Sequence, residues 1–172
     1  MGCNKVKQLA NISVPVSYTQ TLTIPQIPGD TAGVTLPPGG ASLPFPSIPV
    51  VTNSKQYIAT YHTSADKIVS FDMTSMQVQI VSPAGQTFDF LDSIQIFISS
   101  KNYPEEIVSY KYGVPKGQTT LNMDVTPGLN LKNYFIQDTM YFRVNTHVNA
   151  VPASGTKLNI ISGFTLVANP LN

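Results

Sequence analysis

Residues 12–24 alternate between apolar and polar side chains at every second position. The apolar set is Ile12, Val14, Val16, Tyr18, Leu22 and Ile24, and mainly Ser, Thr and Gln stand between them. A period of two predicts a β-strand that buries one face and leaves the other in water. Pro15 lacks a backbone amide donor, so it marks this strand as an edge strand or as bulged.

Further short segments of the same kind continue to the C-terminus. We predict strands in 67–82, 94–99, 106–112, 118–125, 139–149 and 157–168. In 118–125 the side chains of Leu121, Met123 and Val125 are expected on one face. One or two helical turns are predicted in 53–62, capped by Asn53 or Ser54, and a single turn in 130–135. The pattern predicts an all-β fold: an antiparallel β-sandwich, jelly-roll-like, with seven to eight strands.

The stretch 25–50 is dense in proline and glycine, with seven prolines and four glycines. Proline fixes φ and removes a backbone donor, so we expect no regular ladder here. The segment is interpreted as an extended, polyproline-like excursion across the sandwich. The domain organisation that follows is a tail over residues 1–11 and a single β-sandwich domain over 12–172 that includes the excursion.

The composition is poor in charge. Charged residues make up 11% of the chain and the net charge is +1, whereas about 25% of residues are charged in an average domain. The only arginine is Arg143 and the lysines are scattered, so we expect no nucleic-acid binding. No apolar run reaches the roughly 18–20 residues of a membrane-spanning helix. A neutral polar surface is typical of extracytoplasmic proteins and assembled shells.

No constellation of catalytic or metal-binding residues stands out, so we expect no catalytic, cofactor-binding or metal site. The chain has no G-x-S-x-G elbow and no phosphate-binding glycine motif. Two histidines, His62 and His147, are too few for a zinc site. His147 falls on the polar face of its strand and is interpreted as a surface or cross-strand residue, a catalytic or ligand role being the alternative. The acids Asp89, Asp92, Glu105 and Glu106 are interpreted as solvated loop carboxylates, with incidental calcium binding as the alternative.

Three tyrosines form the best candidate for an exposed aromatic patch that contacts a partner. Tyr103 lies in the loop before the 106–112 strand, and Tyr110 and Tyr112 lie within it. The alternative is that these rings pack the sandwich and turn only their hydroxyls outward, because tyrosine is amphipathic.

The N-terminal Gly2-Cys3 pair is the most specific short signal. A bacterial lipobox places a small residue before a cysteine that becomes acylated, so Cys3 is a candidate lipid-attachment site with residues 4–11 as its tether. The alternative is an ordinary tail cysteine. N-myristoylation requires Ser or Thr at position 6, where this chain has Val6.

Three segments resemble uncharacterised lipoproteins of Bacteroidota-type bacteria. They are Leu43-Pro-Phe-Pro46, the stretch from Ser82 to Ser99 and Asn149-Ala-Val-Pro-Ala-Ser-Gly155. The resemblance implies a cell-envelope β-sandwich of unassigned activity. It supplies no functional residues.

Three hypotheses for function follow. The first is a non-enzymatic surface or periplasmic lipoprotein, lipid-anchored at Cys3 or secreted, that engages a protein or surface glycan through sandwich loops (25–50, 100–105 and 113–118). It predicts a monomeric domain and, in the full-length precursor, an apolar segment upstream of Gly2. The second is a virion structural protein, a single jelly-roll vertex or spike subunit that assembles symmetrically with like subunits and starts at Met1. The third, an enzyme acting on carbohydrate, has no pair of acids to support it.

Overall fold

The computed structural model of the chain describes residues 11–24 and 36–169. It contains β1 (Ile12–Thr23), β2 (Ala41–Pro44), β3 (Ile48–Val51), α1 (Ser54–Thr60), β4 (Ile68–Ser82), β5 (Leu91–Ser99), β6 (Glu106–Tyr112), β7 (Thr120–Asn122), β8 (Asp124–Val125), α2 (Lys132–Phe135), β9 (Thr139–Val148) and β10 (Lys157–Ala168). The predicted all-β antiparallel sandwich is confirmed, with ten strands in the described residues where seven to eight were predicted. Within these ranges, neither short helix has the length and apolarity needed to cross a membrane.

The strands pair in a nested antiparallel order. β1 pairs with β10, β2 and β3 both pair with β9, β4 pairs with β7, and β5 pairs with β6. One sheet has the order β1-β10-β4-β7, and the other runs from β2 and β3 through β9, β5 and β6 to β8. The first strand thus pairs with the last, and the strands between them pair in the same nested way. Such nested pairs, divided between two facing sheets, form a jelly roll.

The core lies between the two sheets and is filled by the alternating apolar positions. In β9 and β10 every second residue is buried over the whole strand. Phe71 lies at the centre of an aromatic stack, 4.4 Å from Phe135 and 4.5 Å from Phe164 between ring centroids. Alternating burial on both sheets is what period-two sequences produce in a sandwich.

The prediction that 25–50 carries no regular ladder is wrong for its second half. β2 and β3 both lie in this stretch and pair with β9, with Pro44 opposite Asn145 and Pro49 opposite Tyr141. Prolines are tolerated because these short strands form the edge of their sheet, where an amide pointing away from the neighbour is not needed. Residues 25–35 lie outside the described part of the chain.

The predicted strand 118–125 is divided between the two sheets. Leu121 pairs with Val78 in the four-stranded sheet, whereas Asp124 pairs with Tyr110 in the larger one. Met123, between them, donates its amide to the Met76 carbonyl at 2.9 Å. The chain crosses from one sheet to the other within a few residues, so a single alternating face does not extend to Val125, which is half-buried.

Both predicted helical turns are present, and Asn53 occupies the N-cap position of the first, but its side chain makes no capping hydrogen bond. Its backbone is in a left-handed conformation (φ 54°). Instead the Ser54 amide donates to the Thr52 hydroxyl at 3.3 Å, and that hydroxyl donates to the Gln137 carbonyl at 2.6 Å. Thr52 therefore links α1 to the segment before β9.

The two ends of the sandwich carry different features. At the N-terminal end, Ile12 pairs with Ala168, where β1 begins and β10 ends. At the other end, which we call the groove end, the Ile24 amide donates to the Thr156 carbonyl at 2.8 Å. β1 spans the distance between them in 12 residues, which corresponds to roughly 40 Å of extended chain.

Candidate functional site

An open groove of about 550 Å³ lies at the groove end. One wall is the segment 36–40 that leads into β2, and the other is formed by Asp92 and by residues 149–151 after β9. The walls combine the rings of Pro37 and Pro38 with the carboxylate of Asp92 and the amide of Asn149. Such a surface offers apolar contact together with a few hydrogen-bonding groups, as ligand-binding clefts do.

A polar cluster of Asp92, His147 and Asn149 borders this groove. The Asp92 carboxylate lies 3.3 Å from His147 Nδ1 and also accepts a hydrogen bond from the Asn149 amide. The side chains of His147 and Asp92 are 38% and 46% exposed, so they remain accessible. The contact between His147 and Asp92 is an ion pair only when the imidazole is protonated.

The polar cluster has a hydroxyl on each side of the histidine. Ser42 of β2 and Ser93 of β5 are the cross-strand neighbours of His147. Ser42, His147 and Ser93 therefore form a row across three strands, because residues opposite each other in antiparallel strands point to the same face. The row places His147 on the outer face of the larger sheet, as its polar alternation predicts.

Two of the three predicted partner-contact tyrosines lie together in the same region. Tyr110 and Tyr112 are adjacent on the outer face of β6, with ring centroids 5.3 Å apart. Tyr112 is 58% exposed and accepts a hydrogen bond from Gln95 at 2.9 Å. It pairs with Ser93, which in turn pairs with His147, so two strand spacings of about 4.8 Å separate Tyr112 from His147.

Tyr103 lies elsewhere. It is half-buried in the loop between β5 and β6, with its ring centroid 5.7 Å from that of Tyr134. Tyr134 donates its hydroxyl to the Pro104 carbonyl at 2.8 Å, which ties this loop to α2. The Leu131 amide, directly before α2, donates to the Phe71 carbonyl near the start of β4. This contact puts α2, and with it the loop, at the N-terminal end of the sandwich. A single patch of three tyrosines is therefore not formed.

The predicted partner loops also divide between the two ends. Residues 113–118 lie at the groove end, where the Val114 amide donates to the Asp92 carbonyl at 3.1 Å. The described part of 25–50 before β2 lies there too. The 100–105 loop lies at the opposite end, so these three loops do not make one surface.

A second feature of the same sheet face combines an arginine with an aromatic ring. The Arg143 guanidinium lies 4.1 Å from the centre of the Phe97 ring and forms two hydrogen bonds of 2.6 Å to Glu105. The hydrogen bonds from Arg143 lower the pKa of the Glu105 carboxyl. The alternation of β9 places Arg143 on the outer face, but nothing local in the sequence indicates its contact with a loop 38 residues away.

The acids in the described part of the chain do not gather into a metal site. Asp89 accepts the Gly117 amide at 2.6 Å, Asp92 is held by His147 and Asn149, and Glu105 by Arg143. Over residues 11–24 and 36–169, no group of three or more potential metal ligands occurs. Cys3, the predicted lipid-attachment site, lies outside the described residues.

Comparison with known proteins gives no family. No protein-family model matches the chain, and no curated protein matches it. Among solved structures, one from desmodium yellow mottle tymovirus is 11% identical over 94% of this chain and 90% of that chain, with a TM-score of 0.26. A TM-score this low does not establish a shared fold. The jelly roll described above rests on strand pairing.

Proposed function

We propose that this chain is a non-enzymatic binding domain of the bacterial cell envelope, lipid-anchored at Cys3, that engages a protein or a surface glycan at its groove end. The binding surface consists of the groove, the polar cluster Asp92–His147–Asn149 and the tyrosine pair Tyr110–Tyr112. In this proposal the partner contacts a sheet face and the adjoining groove, and not the loops alone.

The main support is the position of this surface relative to the N-terminus. β1 begins at one end of the sandwich, and the groove lies at the other, roughly 40 Å away along the strand. A domain tethered through residues 4–11 then presents the groove away from the membrane. The same domain tethered from the groove end would turn its accessible polar groups toward the lipid.

The chemistry of the surface supports a neutral polar partner. The tyrosine pair, with Tyr112 exposed and Tyr110 half-buried, offers ring surface for stacking and hydroxyls for hydrogen bonding, a combination that is common at interfaces. Asn149, Ser42 and Ser93 add neutral groups around the carboxylate of Asp92, which already has two partners. A strongly charged partner finds little to pair with here.

A virion structural subunit is the second candidate. The observation that favours it is the complete nested jelly-roll pairing, an architecture that viral capsid proteins share with lectin domains. Fold alone does not assign function, because jelly rolls carry several unrelated roles.

Fractionation of a bacterial host that expresses the gene with its upstream sequence tests the anchor. We expect wild-type protein in the membrane fraction with an acylated N-terminal cysteine by mass spectrometry, and Cys3→Ala in the soluble fraction. Asn4→Ala is the matched control and is expected to stay in the membrane fraction. An unmodified Cys3 in a soluble product, or assembly of the protein into particles, contradicts the proposal and favours the virion subunit.

Binding at the groove end is tested separately with the purified full chain. Glycan arrays and pull-downs from envelope extracts identify a ligand, and titration then compares variants. Tyr112→Ala and Asp92→Asn are expected to weaken binding about tenfold or more, as truncation of an interface anchor does. Tyr141→Ala, on the same sheet face toward the other end, is expected to bind like wild type. Equal losses in all three variants contradict a surface at the groove end.

A further inference from the structure

β1 is a long edge strand without electrostatic protection. It has 12 residues, none of them charged, and among the described residues it pairs only with β10. Natural sheets usually protect such edges with lysines, bulges, prolines or covering segments, because an unpaired edge readily accepts another strand. Among the described residues, the one such device at β1 is Pro15.

The backbone groups at this edge follow from the register. β1 and β10 pair without a shift from Ile12–Ala168 to Thr23–Lys157, and the Ile24 amide donates to Thr156 in continuation of that register. Because orientation alternates in an antiparallel ladder, even-numbered residues direct their N–H and C=O groups to β10. Odd-numbered residues direct theirs to the open edge. Pro15 is odd-numbered, so its missing N–H removes no hydrogen bond between β1 and β10.

Between Ser17 and Thr23 no backbone N–H donor is missing from the open edge, because this part of β1 contains no proline. Ser17, Thr19, Thr21 and Thr23 each present an amide and a carbonyl outward, and their side chains are exposed on the outer face of the sheet. The inward-pointing Tyr18 donates its hydroxyl to the carbonyl of Thr52, the residue after β3, at 2.7 Å. That hydrogen bond uses none of the edge groups.

We propose that a second copy of this chain pairs with β1 antiparallel along Ser17–Thr23, joining the two four-stranded sheets across a two-fold axis. In the register that places Ser17 opposite Thr23 and Thr19 opposite Thr21, every pair of odd-numbered, outward-facing residues consists of hydroxyl residues, and no like charges meet. Thr and Ser pairs across strands are favourable. Pro15 falls outside the paired region. A two-fold contact of this kind uses one self-complementary surface and closes at the dimer.

Molar mass by light scattering and sedimentation, measured on the full chain from low to high micromolar concentration, tests the proposal. We expect a monomer–dimer equilibrium in wild type. Ser17→Lys combined with Thr23→Lys places like charges opposite each other and is expected to raise the dimer dissociation constant tenfold or more. The matched control adds the same two charges on the same sheet away from β1, as Gln79→Lys with Asn122→Lys, and is expected to dimerise like wild type. Circular dichroism verifies that each variant is folded.

Amide hydrogen exchange resolved by NMR identifies the surface. In the dimer the amides of Ser17, Thr19, Thr21 and Thr23 are expected to become protected as concentration rises, whereas the even-numbered amides are protected throughout. A monomer at all concentrations overturns the proposal, as does a dimer that the two lysines leave unchanged. Protected odd-numbered amides in a monomer also overturn it, since another segment of the same chain then covers the edge. Binding of a partner at the groove end is independent of each of these outcomes.

Discussion

The backbone of Gly40 packs directly against the imidazole of His147. A Cβ atom on Gly40 would lie 2.8 Å from His147 Cε1 and 2.3 Å from the Val148 carbonyl oxygen, and Gly40 has φ +85°. The neighbouring Gly39 has φ +90° with nothing within 4 Å of its Cβ position. Of these two positions, only position 40 requires glycine for both its positive φ and its close approach to β9. The close approach brings one wall of the groove against the polar cluster.

Gly40→Ala is therefore expected to destabilise the protein more than Gly39→Ala. Both variants hold alanine at a positive φ, which costs about 1–3 kcal/mol, but only Gly40→Ala must also displace β9 backbone or open the groove wall. We expect a further loss of at least about 1 kcal/mol in urea unfolding. Equal free energies of unfolding for the two variants contradict the close packing.

Truncation of Phe71 is expected to be among the most damaging core substitutions. Its ring is fully buried and stacks on Phe135 and Phe164, so Phe71→Ala leaves a large cavity and is expected to cost about 3–5 kcal/mol. Phe97→Ala on the outer sheet face serves as the control, with an expected cost below about 1.5 kcal/mol because its ring is partly exposed. Thermal and urea unfolding measure both.

Removal of the Tyr18 hydroxyl tests a buried contact between the two sheets. This hydroxyl donates to the Thr52 carbonyl at 2.7 Å, so Tyr18→Phe leaves that acceptor unpaired and is expected to cost about 1–2 kcal/mol. The exposed Tyr112→Phe is expected to change the free energy of unfolding by less than about 0.5 kcal/mol. A Tyr18→Phe protein as stable as wild type contradicts the contact.

The same tyrosine predicts alkaline sensitivity. Burial raises the pKa of Tyr18 well above its ordinary value of 10.0, so the folded protein holds this proton more tightly than the unfolded chain. The resulting stabilisation is complete below pH 10 and declines as the pH rises above it. We expect the free energy of unfolding of wild type to fall more steeply above pH 10 than that of Tyr18→Phe. Parallel pH profiles contradict this assignment.

The pairing of Glu105 with Arg143 predicts a small loss in the free energy of unfolding at acidic pH. Arg143 lowers the pKa of Glu105, so the pair stabilises the fold above the ordinary carboxyl pKa, and this contribution is lost as the pH falls through the lowered one. Both side chains are near one-third exposed, so Glu105→Gln is expected to cost less than about 1 kcal/mol at neutral pH. The difference from wild type is expected to vanish in acid. Asp138→Asn, in a more exposed pair with Lys55, is the control and is expected to have no measurable effect.

Local alternation along the chain is sufficient to predict the fold class and the outer placement of several residues. In β1, β9 and β10 the buried positions follow the two-residue period, and Pro15 indicates an edge or bulged strand before any neighbour is known. These features depend on the geometry of a single strand. A strand exposes alternate side chains wherever it is placed, so the sequence alone determines them.

The groove end was decided only by tertiary structure. Pairing of β2 with β9 joins Ser42 to His147 over more than 100 residues, and Asp92 reaches His147 from a third strand. The same pairing made strands of a proline-rich segment, because an edge position does not require every amide. Tyr103 and Tyr112 are close in sequence, yet β6 carries them to different ends. Which strands become neighbours depends on burying two apolar faces at once, and that is a property of the whole chain rather than of any one segment.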